Sequence, residues 1–128
     1  MNKSTKEIGN WGEKQACKYL RSKGYKILER NFYTRAGEVD IIAAVESSSE
    51  ENLSFIEVKT RTDSPSSGSA ERASKSAQKF KTMLPIAKKF CSQADKNYKS
   101  YVFNFEHISV YVDKENQSVK FKKYSILN

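Results

Sequence analysis

Gly37-Glu38-Val39-Asp40-Ile41-Ile42, followed further on by Phe55-Ile56-Glu57-Val58-Lys59-Thr60-Arg61, decides how this chain reads. Both runs are rich in β-branched and aromatic residues, as strands are. In each, charged residues fall on alternate positions. A strand sends alternate side chains to one face, so Glu38 is expected beside Asp40 and Glu57 beside Lys59. Three acids and an ammonium in apolar strands are costly to bury unless they are paired or hold an ion. The pattern points to a divalent metal and an activated water.

The two runs also close into a hairpin. Setting Asp40 opposite Glu57 centres the connection between Ser48 and Ser49, inside the polar turn Ser47-Ser48-Ser49-Glu50-Glu51-Asn52. That register puts Glu38 opposite Lys59 and Ile42 opposite Phe55, so the charged pairs meet across neighbouring strands.

Outward from the hairpin, apolar spacing predicts a first helix over 5–23, with Ile8, Trp11, Gly12, Ala16, Tyr19 and Leu20 on its stripe and Gly24 as its stop. A strand follows over 25–33, a turn over 34–37, and the hairpin strands over 38–45 and 53–61. Residues 62–69 read as a Ser/Gly/Pro-rich loop. A second helix is expected over 71–93, with Ala73, Ala77, Phe80, Leu84, Ala87 and Cys91 apolar and Pro85 kinking or breaking it. Strands over 101–113 and 119–126 complete the chain, the last an edge strand protected by Lys120, Lys122 and Lys123. The order is αβββαββ. The expectation is a single α/β domain over 1–128, with a mixed central sheet flanked by helices.

Lys and Arg total 23 against 15 Asp and Glu, and the net charge of +8 favours a polyanionic partner, nucleic acid ahead of an acidic membrane. Cys17 and Cys91 are too few for a disulfide framework, and a single histidine, His107, leaves a His/Cys zinc site without ligands. No apolar run approaches the roughly 20 residues of a membrane helix, and the first residues do not look like a signal peptide. A cytoplasmic protein with reduced thiols and no membrane partner is the expectation.

Phosphodiester hydrolysis needs a nucleophilic water, neutralisation of phosphate charge and help for the leaving oxygen, all of which a carboxylate-held Mg²⁺ or Mn²⁺ can supply. Asp40 and Glu57 are placed as direct ligands, and the Val58 carbonyl as a further oxygen. Lys59 would orient the water or stabilise charge on phosphorus. Glu13 falls at the edge of the helical stripe, from where it reaches the sheet and the metal. Glu38 supports Asp40 from one pleat nearer the strand start. Arg61 and Lys79 are candidate phosphate clamps. His107 reads as structural and Cys17 and Cys91 as small helix residues; Tyr33, beside the site in sequence, reads as packed within its strand ahead of stacking on an unpaired base, and Trp11 as core ahead of a base-stacking platform. Two alternatives stand beside this reading: a cross-strand salt-bridge cluster on an exposed face, and a solvated Glu13.

The run Gly9-Asn10-Trp11-Gly12-Glu13, then Ala16, Tyr19-Leu20, Gly24-Tyr25, Asn31, the two strand motifs, Lys79 and Ala87 resembles the YraN-like family of predicted bacterial endonucleases. That family belongs to the PD-(D/E)xK superfamily and is similar in motif layout to archaeal Holliday-junction resolvases. The resemblance implies a restriction-endonuclease-like fold and a site of Glu13, Asp40, Glu57 and Lys59 with Mg²⁺ or Mn²⁺. It implies DNA, ahead of RNA, as the nucleic-acid partner, with branched or structured DNA as substrate. A homodimer fits the analogy, since paired cuts in a junction need two active sites. The rival function is a nucleic-acid-binding module that keeps the nuclease fold without turnover. An adaptor presenting its second helix to a protein is a third.

Overall fold

Helix α1, Thr5–Ser22, is bounded by local chemistry. Ser4 is the N-cap: its hydroxyl oxygen accepts the Glu7 N–H at 3.2 Å and its O–H donates to the Glu7 carboxylate at 3.2 Å. The helix stops where Gly24 takes φ +91°, and the Tyr25 N–H returns to the Leu20 carbonyl at 3.0 Å. Strands β1 (Lys26–Thr34), β2 (Gly37–Glu46) and β3 (Glu51–Arg61) follow, then helix α2 (Ala77–Gln93) and strands β4 (Val102–Asp113) and β5 (Ser118–Ser125). The computed structural model describes residues 4–46, 49–62 and 77–126. The expected loop over 63–69, the start of the second helix over 71–76 and Ser47-Ser48 lie outside the described residues.

The five strands lie in the order β1-β2-β3-β4-β5, with β3 and β4 parallel and every other pair antiparallel. A parallel pair needs a crossover, and α2 lies within it. The fold is α/β with a mixed sheet and a helix on each face, consistent with a restriction-endonuclease-like fold. Met83, Ile86, Ala87 and Phe90 of α2 pack on Val39, Ile42, Leu53, Phe55 and Phe105. On the other face, Ala16, Cys17 and Leu20 of α1 pack on Ile41, Ala43, Ile56, Ile108 and Val110, with Trp11 at the margin. Among the described residues no helix is long and apolar enough to cross a membrane.

Two expectations, on Pro85 and Tyr33, need correction, and one, on Lys123, needs extension. Helix α2 is not broken at Pro85 but continues through it, and residues on both sides of the proline bury their side chains in the α2-side core. Lys123 does more than protect an edge: it pairs with the buried Glu106, to which the Tyr25 hydroxyl also points at 3.5 Å. Tyr33 is not packed within its strand but 74% exposed.

Gly12 sets how closely α1 lies on the sheet. A Cβ there would stand 1.8 Å from Thr60 Oγ1 and 3.2 Å from Thr60 Cβ. At an open helix position Gly→Ala stabilises by about 1 kcal/mol, whereas overpacking costs about 1–3 kcal/mol. Gly12→Ala is therefore expected to lower stability, and Gly12→Ala/Thr60→Ala to recover most of the loss. Urea midpoints of both variants check this; a single variant more stable than the parent would show that α1 does not bear on Thr60.

Candidate active site

Asp40 occupies a point where two strands turn over together. In β2, Val39 packs in the α2-side core and Ile41 in the α1-side core, although they are alternate residues. In β1, Arg30 pairs with Ile41 and reaches Glu13 on α1, while Phe32 pairs with Val39 and packs on the α2 side. Asn31 lies between them, opposite Asp40, and its φ of +54° supplies the turnover. Left-handed backbone is rare for residues other than glycine and is best tolerated by asparagine. The strict alternation expected to set Glu38 beside Asp40 is thus interrupted at the site itself.

The β2–β3 ladder runs from Glu46↔Glu51 to Ile41↔Ile56, with Ile42↔Phe55 in the expected register, and stops there. Asp40↔Glu57 and Glu38↔Lys59 are not ladder pairs. Instead Asp40 Oδ2 accepts the Val58 N–H at 2.8 Å, a side chain taking the place of a backbone partner. Burial is the main reason the Asp40 carboxyl rises from its ordinary 3.8 to about 6; the Val58 bond opposes the rise and the charges of Glu13, Glu38 and Glu57 add to it. Asp40 is therefore the residue at which three other acids are felt together.

Each of those acids has its own partner. Glu13, largely buried on α1, accepts from Arg30 Nη2 at 3.4 Å, and burial raises its pKa despite that partner. With its amide nitrogen turned to the carboxylates, Asn31 donates to Glu13 Oε1 at 3.0 Å and Glu38 Oε1 at 3.1 Å. Glu57 accepts from Lys79 of α2 and lies 3.0 Å from His107 Nδ1. The His107 bond is the largest cause holding Glu57 at about 2 rather than 4.5; burial opposes it and Lys79 reinforces it. Among the described residues Asp40 has no cationic side-chain partner.

Lys59 is exposed at the open end of β3. Arg61 turns inward, its Nε donating to Ser109 Oγ at 3.1 Å, and Ser109 Oγ lies 2.9 Å from His107 Nε2. A chain Glu57–His107–Ser109–Arg61 results, with His107 only 1% exposed. Sequence reasoning missed its middle members because they come from β4. Only the parallel register Glu57↔His107 and Arg61↔Tyr111 sets them beside β3, and a crossover does not fix a register. Arg30 and the αL Asn31 were missed too; the signal available was a polar Arg-Asn pair interrupting a strand.

Oxygen donors suit a hard cation such as Mg²⁺ or Mn²⁺. The charge distribution suits one as well: Glu13 and Glu57 have basic partners, whereas Asp40 is half-buried, crowded by acids and, among the described residues, without one. The described side chains do not already form a group of three or more His, Cys, Asp or Glu residues able to hold a metal, since Glu13 and Glu57 are turned to their basic partners.

The model of a family described as Uncharacterised protein family UPF0102 matches residues 12–110. A UPF0102 protein of Caldanaerobacter subterraneus subsp. tengcongensis is 39% identical over 128 residues, 100% of this chain and 96% of that protein. One from Clostridium perfringens is 34% identical over 124 residues, 96% of each chain. One from Syntrophomonas wolfei reaches 55% identity over 56 residues, 44% of this chain and 45% of that protein.

Proposed function

The chain belongs to the uncharacterised protein family UPF0102, and from that premise we propose that it is a metal-dependent endonuclease hydrolysing phosphodiester bonds in branched or structured DNA. The observation that carries the reading is Asp40: a carboxylate held at a strand turnover, crowded by Glu13, Glu38 and Glu57, and without a cationic partner among the described residues. Asp40, Glu57, Glu13 and the Val58 carbonyl would hold Mg²⁺ or Mn²⁺. When bound, the ion would neutralise phosphate charge and lower the pKa of a water.

The chain's own residues divide the remaining work. Asp40 Oδ2 accepts the Val58 N–H, which would leave its second oxygen to face a ligand. Lys79 and His107 hold Glu57 ionised. Lys59, exposed beside them, is placed to steady the attacking water and the charge developing on phosphorus. Asn31 and Arg30 orient Glu13. The net charge of +8 draws the polyanion in. The chemistry is water attack on phosphorus in one step, with no covalent enzyme intermediate.

The test is incubation of the protein with flapped, four-way and plain duplex DNA in Mg²⁺, Mn²⁺ or EDTA. Cleavage that needs metal and favours the branched forms is expected. Binding that is lost in salt but never leads to cleavage, with no calorimetric heat from either metal, would replace this reading with that of a nucleic-acid-binding module. In that case the Lys79–Glu57 pair is a permanent salt bridge and not the resting state of a ligand.

A further inference from the structure

Tyr33 leads to a statement about substrate. It is 74% exposed, beyond Ile8 at 40% and Val102 at 41%, and it is the one aromatic among the exposed large hydrophobics of the described residues. Its neighbour Phe32 behaves as a strand aromatic should, packing edge-on against Phe90 at 5.5 Å. The difference follows from the turnover at Asn31, which sends Phe32 to the α2-side core and leaves Tyr33 across from Glu38.

The backbone that carries the ring is fixed by a closed turn. The β1–β2 connection is a two-residue turn, Arg35-Ala36, closed by the Thr34↔Gly37 pair. Thr34 Oγ1 donates to the Gly37 carbonyl at 3.1 Å and accepts the Ala36 N–H at 3.0 Å. The turn rests against α2, where a Cβ on Gly37 would stand 3.6 Å from Ile86 Cδ1. The Glu38 carboxylate, across from it on β2, raises the pKa of the phenol. Glu38 is in turn tied through Asn31 to Glu13. An exposed ring therefore stands on a closed turn beside Glu38 and the carboxylates around Asp40, with the exposed cation Arg35 at the turn.

We propose that Tyr33 is a stacking platform for one unpaired nucleobase, and that it directs the site to DNA with an unpaired nucleotide beside the scissile phosphate. The proposal rests on the nuclease reading and deepens it. Every base has a π face, so stacking on a tyrosine tolerates any sequence, but a base inside a duplex has both faces covered by its neighbours. Only a flap, a strand end or a junction offers a face to Tyr33. The stacking contact is made by the ring face, so it does not need the hydroxyl.

The experiment uses the full chain carrying Asp40→Asn, so that binding is read without cleavage, and a flapped DNA with 2-aminopurine at the unpaired position next to the duplex. Stacking quenches the fluorescence of that base. Quenching is expected in the Asp40→Asn protein and with added Tyr33→Phe, and not with added Tyr33→Ala. Preference for flapped over plain duplex is expected to fall about tenfold in the alanine variant. With Asp40 restored, the same fall should appear in the ratio of cleavage rates for the two DNAs. Quenching that persists in the alanine variant, or an equal loss of affinity for both DNAs, overturns the stacking role and leaves the nuclease reading standing. No binding of any DNA by the Asp40→Asn protein, with no cleavage by the parent, overturns the nuclease reading and this proposal together.

Discussion

Asp40→Asn is expected to abolish cleavage, by on the order of 10³-fold or more, and to make the protein more stable. The second half is the unusual part, and it follows from the charge environment. Asn keeps the acceptor that the Val58 N–H uses at 2.8 Å. It removes a negative charge that burial and the acids Glu13, Glu38 and Glu57 oppose. The folded carboxyl titrates near 6 against an ordinary 3.8, so the folded state holds its proton more tightly than the unfolded chain. Wild-type stability therefore falls as pH rises through that window, and above it the ionised Asp40 carries a penalty of about 1–3 kcal/mol. The variant should melt higher by roughly 5–10 °C at neutral pH, with the gap closing below pH 3.8. Thermal melts at both pH values, beside a cleavage assay, read the two effects. An asparagine variant less stable than the parent at neutral pH would mean that Asp40 is already compensated, and the case for a missing cation would go with it. A group retained at a cost to stability is what a functional carboxylate looks like.

The legible part of this molecule was what local spacing controls. The hairpin register follows from the polar turn at its centre and the apolar pattern on either side, and Ile42↔Phe55 stands where that arithmetic set it. The stop of α1 at Gly24 and the edge position of β5 are likewise local signals. Glu13 facing the sheet follows from its place on the helical stripe, and its contact with Arg30 bears this out. What spacing could not supply was the departure from regularity. Period-two reasoning assumes that a strand stays one strand, and the site is built where β1 and β2 turn over at Asn31 and Asp40. That turnover removes the expected Glu38–Lys59 pair, ties Glu38 to Asn31 and exposes Tyr33. His107, read as structural, is indeed buried, but its partner was not legible. Its apolar neighbours do describe a core strand, but the parallel register across the α2 crossover aims its ring at Glu57.

Glu57→Gln should also abolish cleavage but shift stability the other way. The Glu57 carboxylate accepts from both Lys79 and His107, and its pKa lies near 2 instead of 4.5. A full conversion of that shift would exceed about 3 kcal/mol, yet the side chain is 35% exposed. Solvent screening brings the expected loss to about 1–2 kcal/mol at neutral pH. The folded pKa is depressed, so this contribution is present above pH 4.5 and is lost as pH falls towards 2. Asp40 behaves oppositely, its penalty absent below 3.8 and complete above about 6. Urea midpoints of the parent and both variants at pH 7, 5 and 3, taken as roughly spanning these windows, separate the two. Opposite signs at neutral pH, both shrinking in acid, are expected. Two carboxylates of one site whose surroundings push their pKa values apart have different duties: Glu57 is ready-ionised on a basic cradle, and Asp40 is the position where positive charge is lacking. Mn²⁺ should therefore stabilise the parent and leave Asp40→Asn unmoved. Equal signs in the two variants would remove that asymmetry, and with it the reason to centre a cation on Asp40.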